Sequence, residues 1–354
     1  MRFIPDSLHF PTLGLTLALG LGGGLLARAL HLPLPMLLGP LLAVAGVALA
    51  GWRPMGHPVQ FPMQIRMAFI PIIGVSIGAT FTPAIVEEAA QWWPSLLALA
   101  LFIPAAHLLS FSAVRKTGLL DPVTAFFGTA PGGLIETVQM GEERGADVAM
   151  LTMLQFLRLI VTIIAVPVFF TVMTGHAVGS AGGATLTRSA MQAADWPWLI
   201  GAGVLGALIG WRLRLPAGMV TGPILLSGAV HLAGLAQGSP PRFLVDMTQL
   251  VIGTSLGVRF AGMALGQFWL ALRLAALSTT LTITFAAACA FALAEFVHEP
   301  PAAVFLAFAP GGLTEMALIA LSLQMSIVYV TAHHALRIVL AVAVARGFAN
   351  QMTR

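Results

Sequence analysis

Proline removes a backbone donor, and glycine costs about 1 kcal/mol relative to alanine inside a helix. The run Ala130-Pro131-Gly132-Gly133-Leu134-Ile135-Glu136 must therefore interrupt any helix that contains it. It returns 179 positions later as Ala309-Pro310-Gly311-Gly312-Leu313-Thr314-Glu315. Both copies lie in apolar sequence. In lipid, interrupted backbone survives only where it is buried in protein or lines a wet cavity. Matching breaks in the two halves of a membrane chain are the best sequence pointer to a transporter's binding site. With Gly133 and Gly312 as N-caps, Glu136 and Glu315 fall at N3, within reach of free N–H groups and the positive end of the helix dipole.

The apolar setting is set by composition: the 354 residues are 58% hydrophobic and 8% charged, where a soluble domain carries about 25% charged residues. This is an all-α polytopic membrane protein. The net charge of +4 is scattered through loops without a basic run, so nothing in it favours a nucleic-acid partner. The single Cys289 excludes a disulfide framework and a thiolate metal site. Residues 13–26 resemble a signal-peptide core followed by Ala27-Arg28-Ala29. The region has a counterpart in the second half, so it is read as a retained first span.

Apolar stretches of spanning length run at 11–30, 34–51, 62–82, 92–114 and 146–174, and again at 197–213, 217–235, 242–262, 265–294 and 326–345. The broken segments occupy 121–144 and 299–324. A Gly-, Ala-, Ser- and Thr-rich stretch, 175–195, links a first repeat, 1–174, to a second, 196–354. Pro33 to Pro40 matches Pro216 to Pro223 at an offset of 183, while Gly74-x-Ser76-x-Gly78 matches Gly253-x-Ser255-x-Gly257 at 179. Gln155-Phe156-Leu157-Arg158 matches His334-Ala335-Leu336-Arg337, also at 179. Blocks in register over most of each half imply duplication.

If each broken segment dips in and returns, each half has five transmembrane helices plus a re-entrant hairpin, and the halves are inverted. If each segment crosses, the halves are parallel. Loop arginines and lysines divide ten to three in the first case and eight to five in the second. Cytoplasmic loops are enriched in them, so the inverted arrangement is preferred, with both termini cytoplasmic in the bacterial inner membrane.

Arg158 and Arg337 lie deep in apolar spans, where a charge costs at least about 2.5–3.5 kcal/mol. They hold an anion or pair with Glu136 and Glu315. Those carboxylates either cap their helices or couple a proton or sodium ion. The two helix starts offer backbone N–H groups to an anion through Pro131, Gly132, Gly133, Pro310, Gly311 and Gly312. Thr129, Thr137, Gln139 and Thr314 add neutral hydrogen bonds. His334, beside His333, is a further candidate for ion coupling, against the plainer reading of core histidines with local hydrogen bonds. The two Gly-x-Ser-x-Gly runs spell a hydrolase elbow, but in long apolar helices they read as small faces for close packing.

The run Gly128 to Glu136 followed by Gln155 to Leu159, and Ala309 to Met316 with His333 to Arg337, resemble the AbrB family of bacterial membrane proteins, with its internal duplication. The resemblance covers essentially the whole chain. Family labels include regulator of gene expression and ammonia monooxygenase. A copper or iron oxygenase needs a cluster of His and carboxylate ligands, and the sequence offers none. The reading is a secondary transporter, not an enzyme, with no metal or cofactor. It moves a small carboxylate-bearing solute through a midplane site, is driven by an ion gradient, and leaves a homo-oligomer open. The alternative is a membrane sensor that acts indirectly on gene expression.

Overall fold

The computed structural model describes residues 8–131, 134–175, 191–293, 296–297, 299–323 and 325–349. Those residues form helices and connections. In order the helices are α1 (Phe10–Ala29), α2 (Pro35–Leu49), α3 (Met63–Gly78), α4 (Pro83–Ala89), α5 (Trp93–Lys116), α6 (Pro122–Thr129), α7 (Leu134–Glu142) and α8 (Val148–Thr174). There follow α9 (Asp195–Arg212), α10 (Gly218–Leu232), α11 (Arg242–Gly257), α12 (Leu265–Leu293), α13 (Pro301–Phe308), α14 (Leu313–Ser322) and α15 (Ile327–Ala349).

A helix forms at each of the ten expected spans, but fewer are long enough to cross. Among the described residues five helices, α1, α5, α8, α12 and α15, have the length and apolarity to span a membrane, or six if α3 and α4, bent by 89°, count as one. Helices α2 and α10 have 15 residues each, about 22 Å at 1.5 Å per residue, against a hydrocarbon core of about 30 Å. Their starts are fixed by matching turns. His31 and Leu34 before α2, and Arg214 and Ala217 before α10, all take positive φ. Leu32 N–H donates to Ala27 O and Leu215 N–H to Gly210 O, each at 2.9 Å, the closure of a Schellman motif.

The chain divides into two compact units, neither of which is a sequence half. The first takes residues 1–83, 166–263 and 321–324; the second takes 84–165, 264–320 and 325–354.

Small residues build the first unit. A Cβ on Gly23 or Gly39 would strike the backbone across the α1–α2 contact, and one on Gly206, Gly210, Gly218 or Gly222 would do so across α9–α10. The Gly-x-Ser-x-Gly runs act in the same way. Gly74 and Gly78 press α3 on Val220, Pro223, Ile224 and Ser227 of α10, while Gly253 and Gly257 press α11 on Leu37, Pro40, Leu41 and Val44 of α2. Close backbone approach of this kind is what drives helix association in lipid. Residue numbers rise together in both contacts, so α3 runs parallel to α10 and α11 parallel to α2. Helices α3 and α11 pack on each other, and Arg259 just after α11 feels the charge of Arg66 at the start of α3, so the two run antiparallel. At the edge of this unit the Asp195 carboxylate accepts from Gln192 N–H at 2.9 Å and Gln237 N–H at 3.1 Å.

The second unit holds both broken segments with α5, α12, α15 and most of α8. Helices α5 and α12 are antiparallel: Phe102 stacks on Phe285 at 4.9 Å, and Ser110 Oγ meets Thr282 Oγ1 at 3.1 Å. Helix α5 runs parallel to α15, with Trp92 against Tyr329 and Ser95 bonded to His333.

Candidate functional site: two helix breaks in one unit

The first break follows α6. Asp121 starts that helix, its carboxylate accepting from Val123 N–H at 3.0 Å and Thr124 N–H at 2.9 Å, as an N-cap should. The segment then returns to where it entered: Thr124 Oγ1 accepts from Asp147 N–H at 2.8 Å. Phe126 and Phe127 pack with Ala146 and Leu151. In the second segment α13 packs on α15.

The last carbonyls of a helix have no partner within it, and lipid supplies none. The proline aggravates this. Phe127 O would ordinarily accept from the N–H four residues on, but that residue is Pro131; Leu306 O faces Pro310 in the same way. Side chains from the next span answer. Gln155 Nε2 donates to Phe127 O at 2.6 Å and reaches Ala130 O at 3.2 Å and Thr137 Oγ1 at 3.4 Å. His334 Nε2 donates to Leu306 O at 2.8 Å. Arg158 Nη2 donates to Ala130 O at 2.5 Å; Arg337 Nη1 donates to Ala309 O and its Nη2 to Gly311 O. His107 on α5 adds a bond from Nε2 to Phe126 O at 3.0 Å. A cation at a helix C-terminus also meets the negative end of the dipole. Each arginine thus neutralises a cut helix end, a role the sequence alone did not separate from carboxylate pairing.

The second arms begin as expected. Helix α14 starts at Leu313, which makes Gly312 its N-cap and Glu315 its N3 residue. The Glu315 side chain, 3% exposed, folds back so closely that a Cβ on Gly312 would collide with its Oε2, the return limb of a capping box. Helix α7 starts at Leu134, one residue after Gly133. Gly132, Gly133 and the side chain of Glu136 lie outside the described residues.

The remaining candidates sort by place. Pro131, Pro310 and Thr314 are buried at the breaks. Thr129 is buried too, but its hydroxyl is turned to Ala125 O in its own helix at 2.9 Å. Gln139 is exposed and reaches Glu143 at 3.4 Å, along α7 and away from the break. His333 is a core histidine, bonded through Nδ1 to Tyr329 O at 2.8 Å and through Nε2 to Ser95 Oγ at 2.9 Å. The sequence reading missed His107, and it treated Gln155 only as part of the repeat. The signal for Gln155 was its register, since it matches His334 and both follow an A-P-G-G run by the same distance.

The two breaks converge. Helix α7 packs on α15, the helix that carries Arg337, and the Arg158 charge is felt at Arg337. Four fully enclosed atoms on α15 find no hydrogen-bond partner among the described residues: Tyr329 Oη, Thr331 Oγ1, His334 Nδ1 and Arg337 Nε. Among the described residues no three His, Cys, Asp or Glu side chains come together as a metal group would require.

Comparison with known proteins accords with this architecture. Residues 52–353 match the family described as "Transition state regulatory protein AbrB". The chain is 28% identical over 311 residues to an Escherichia coli (strain K12) protein named "Putative regulator AbrB", covering 88% of this chain and 87% of that one. It is 22% identical to "Uncharacterized protein YhjN" of Bacillus subtilis (strain 168), covering 94% and 91%. The protein is a multi-pass membrane member of the AbrB family.

Proposed function

We propose that this chain is a secondary transporter of the bacterial inner membrane, and that its solute carries a carboxylate. The observation that carries the reading is the meeting of two helix breaks in one unit, each with a buried arginine at the end of its first helix. A structural helix end does not need to sit beside a second one of like charge. An anion arriving between Arg158 and Arg337 relieves their repulsion and finds the starts of α7 and α14 as further donors. Backbone at Gly132, Gly133, Gly311 and Gly312, with Thr314, supplies those contacts. Glu315 caps the second arm of its break, and Glu136 and Glu315 respond to the solute or to a coupling proton or sodium ion.

Inverted repeats fit the helix directions. Sequence-matched α5 and α12 are antiparallel, as are α3 and α11. Helices α2 and α10 run opposite ways too, because each follows the partner on which it packs. This supports two inverted halves of five membrane helices and one hairpin each, with both termini on the cytoplasmic side.

The test is ligand-induced thermal shift over a panel of carboxylates and organic cations, followed by counterflow in proteoliposomes. Stabilisation by carboxylates that is lost in Arg158→Ala and Arg337→Ala, with exchange of labelled solute, is the expected result. Hits confined to cations and indifferent to both arginines refute the anion site. A second reading draws on the relative named as a regulator: a membrane sensor would bind the same ligand in the thermal assay and give no counterflow.

A further inference from the structure

The first unit contains a histidine whose neighbours dictate its charge. His231 lies in the last turn of α10 and is buried. Its Nδ1 stands 2.7 Å from Ser227 O, and its Nε2 stands 3.0 Å from Gly238 O. A backbone carbonyl has no hydrogen to give, so each contact needs an N–H on the ring, and a ring with two N–H groups is an imidazolium. The Ser227 hydroxyl, 3.4 Å from Nδ1, does not supply a hydrogen instead, because it donates to Val75 O at 3.0 Å. A neutral ring would set a lone pair against a carbonyl oxygen at one contact or the other. The charge is compensated from two directions. A cation in the last turn of a helix meets the negative end of its dipole. The buried Asp195 carboxylate, at the start of α9, accepts from Gln237 N–H at 3.1 Å and lies against Gly238, where a Cβ would strike its Oδ2. It thus sits on the same turn that offers its carbonyl to His231.

We propose that His231 is a buried proton-binding site, held as an imidazolium by two carbonyls and balanced by Asp195, and that its proton latches the end of α10 to the turn leading into α11. Loss of the proton to water leaves one ring nitrogen facing a carbonyl with no hydrogen between them. Ser227 belongs to the same helix and Gly238 to the turn, so the turn is the partner that lets go. Helices α9 and α3 pack on α10. The charged side chains of α9 are Asp195 at this end and Arg212 at the other; that of α3 is Arg66, nine residues before the Val75 that meets Ser227. The stretches 191–194, 79–82 and 233–241 carry none. Asp195 is therefore the one titratable group facing His231 among the described residues of these elements. All of them belong to the first unit, and the latch does not depend on what the chain carries.

The experiment uses the full chain in detergent micelles with isotope-labelled histidine, and reads ring-nitrogen NMR signals at about pH 7.5, where histidine in water is about one-tenth charged. The expected result is a histidine with two N–H groups whose signal disappears in His231→Gln. A spectrum with no such histidine, or one that keeps it in His231→Gln, overturns the proposal. Should His231→Gln fail to fold, Asp195→Asn decides: the same signal should give up its second proton at a lower pH than in the parent, and a signal that does not move overturns the assignment. The latch is read by melting. A proton held more firmly in the folded chain stabilises fully below the ordinary histidine range, and that stability is lost as the pH rises through the folded titration. The margin of the parent over His231→Gln should therefore shrink as the pH rises, and a margin independent of pH overturns the latch.

Discussion

Exchanging Gln155 and His334 tests whether these side chains exist to serve the breaks. Each donates to a carbonyl that a proline has deprived of its helical partner: Gln155 to Phe127 O and His334 to Leu306 O. Substituting leucine keeps the bulk and removes the donor. A buried carbonyl left without a partner costs about 1–3 kcal/mol. For Gln155→Leu the lower half of that range applies, because Ala130 N–H still approaches Phe127 O at 3.4 Å and Arg158 still holds Ala130 O. For His334→Leu the upper half applies. A soluble domain of 150–250 residues loses roughly 2–4 °C per kcal/mol, so thermal unfolding in micelles should fall by several degrees in both variants. The informative pair is Gln155→His and His334→Gln. Each places at one break the donor that the other break already uses, and each should stay within about 1 kcal/mol of the parent. If His334→Gln is as damaging as His334→Leu, the side chain is not there to satisfy the carbonyl, and the account of the breaks is wrong.

Gly222→Ala should abolish folded protein in fluorescence-detected gel filtration, because the new methyl meets Gly206 O of α9 with no flexible neighbour to give way. Gly22→Ala has nothing within 4 Å and should match or exceed the parent in the same measurement, by up to about 1 kcal/mol. Gly312→Ala should dislodge the Glu315 carboxylate from the start of α14 and lower the melting temperature, with Glu315→Gln, which keeps the capping geometry, costing less. Backbone bonds, led by the one from Gln192, hold the Asp195 carboxyl below the usual carboxylate range. Its contribution to stability is therefore complete above the ordinary aspartate range and lost as the pH falls through the lower folded value. The melting difference between parent and Asp195→Asn should accordingly be constant near neutrality and shrink in acid; a difference independent of pH contradicts it.

Much of this was legible in the chain itself. The A-P-G-G runs stop and restart helices for local reasons, so α6, α7, α13 and α14 follow from backbone chemistry in the sequence. The glycine spacing of 74–78 and 253–257 announced close packing, and the N-cap register put Glu315 at the start of α14. Apolar runs located every long helix, though not its usable length, because left-handed turns at Leu34 and Ala217 shorten α2 and α10 in ways hydropathy does not encode. Three things needed tertiary structure. Which helices share a unit depends on contacts that cross the sequence halves, as when α11 settles on α2. Which way the halves point depends on the direction of those contacts. And what a buried arginine does depends on the nearest unpaired atom: composition demands a partner for Arg158 and Arg337, but only the folded chain brings Ala130 O and Ala309 O to them.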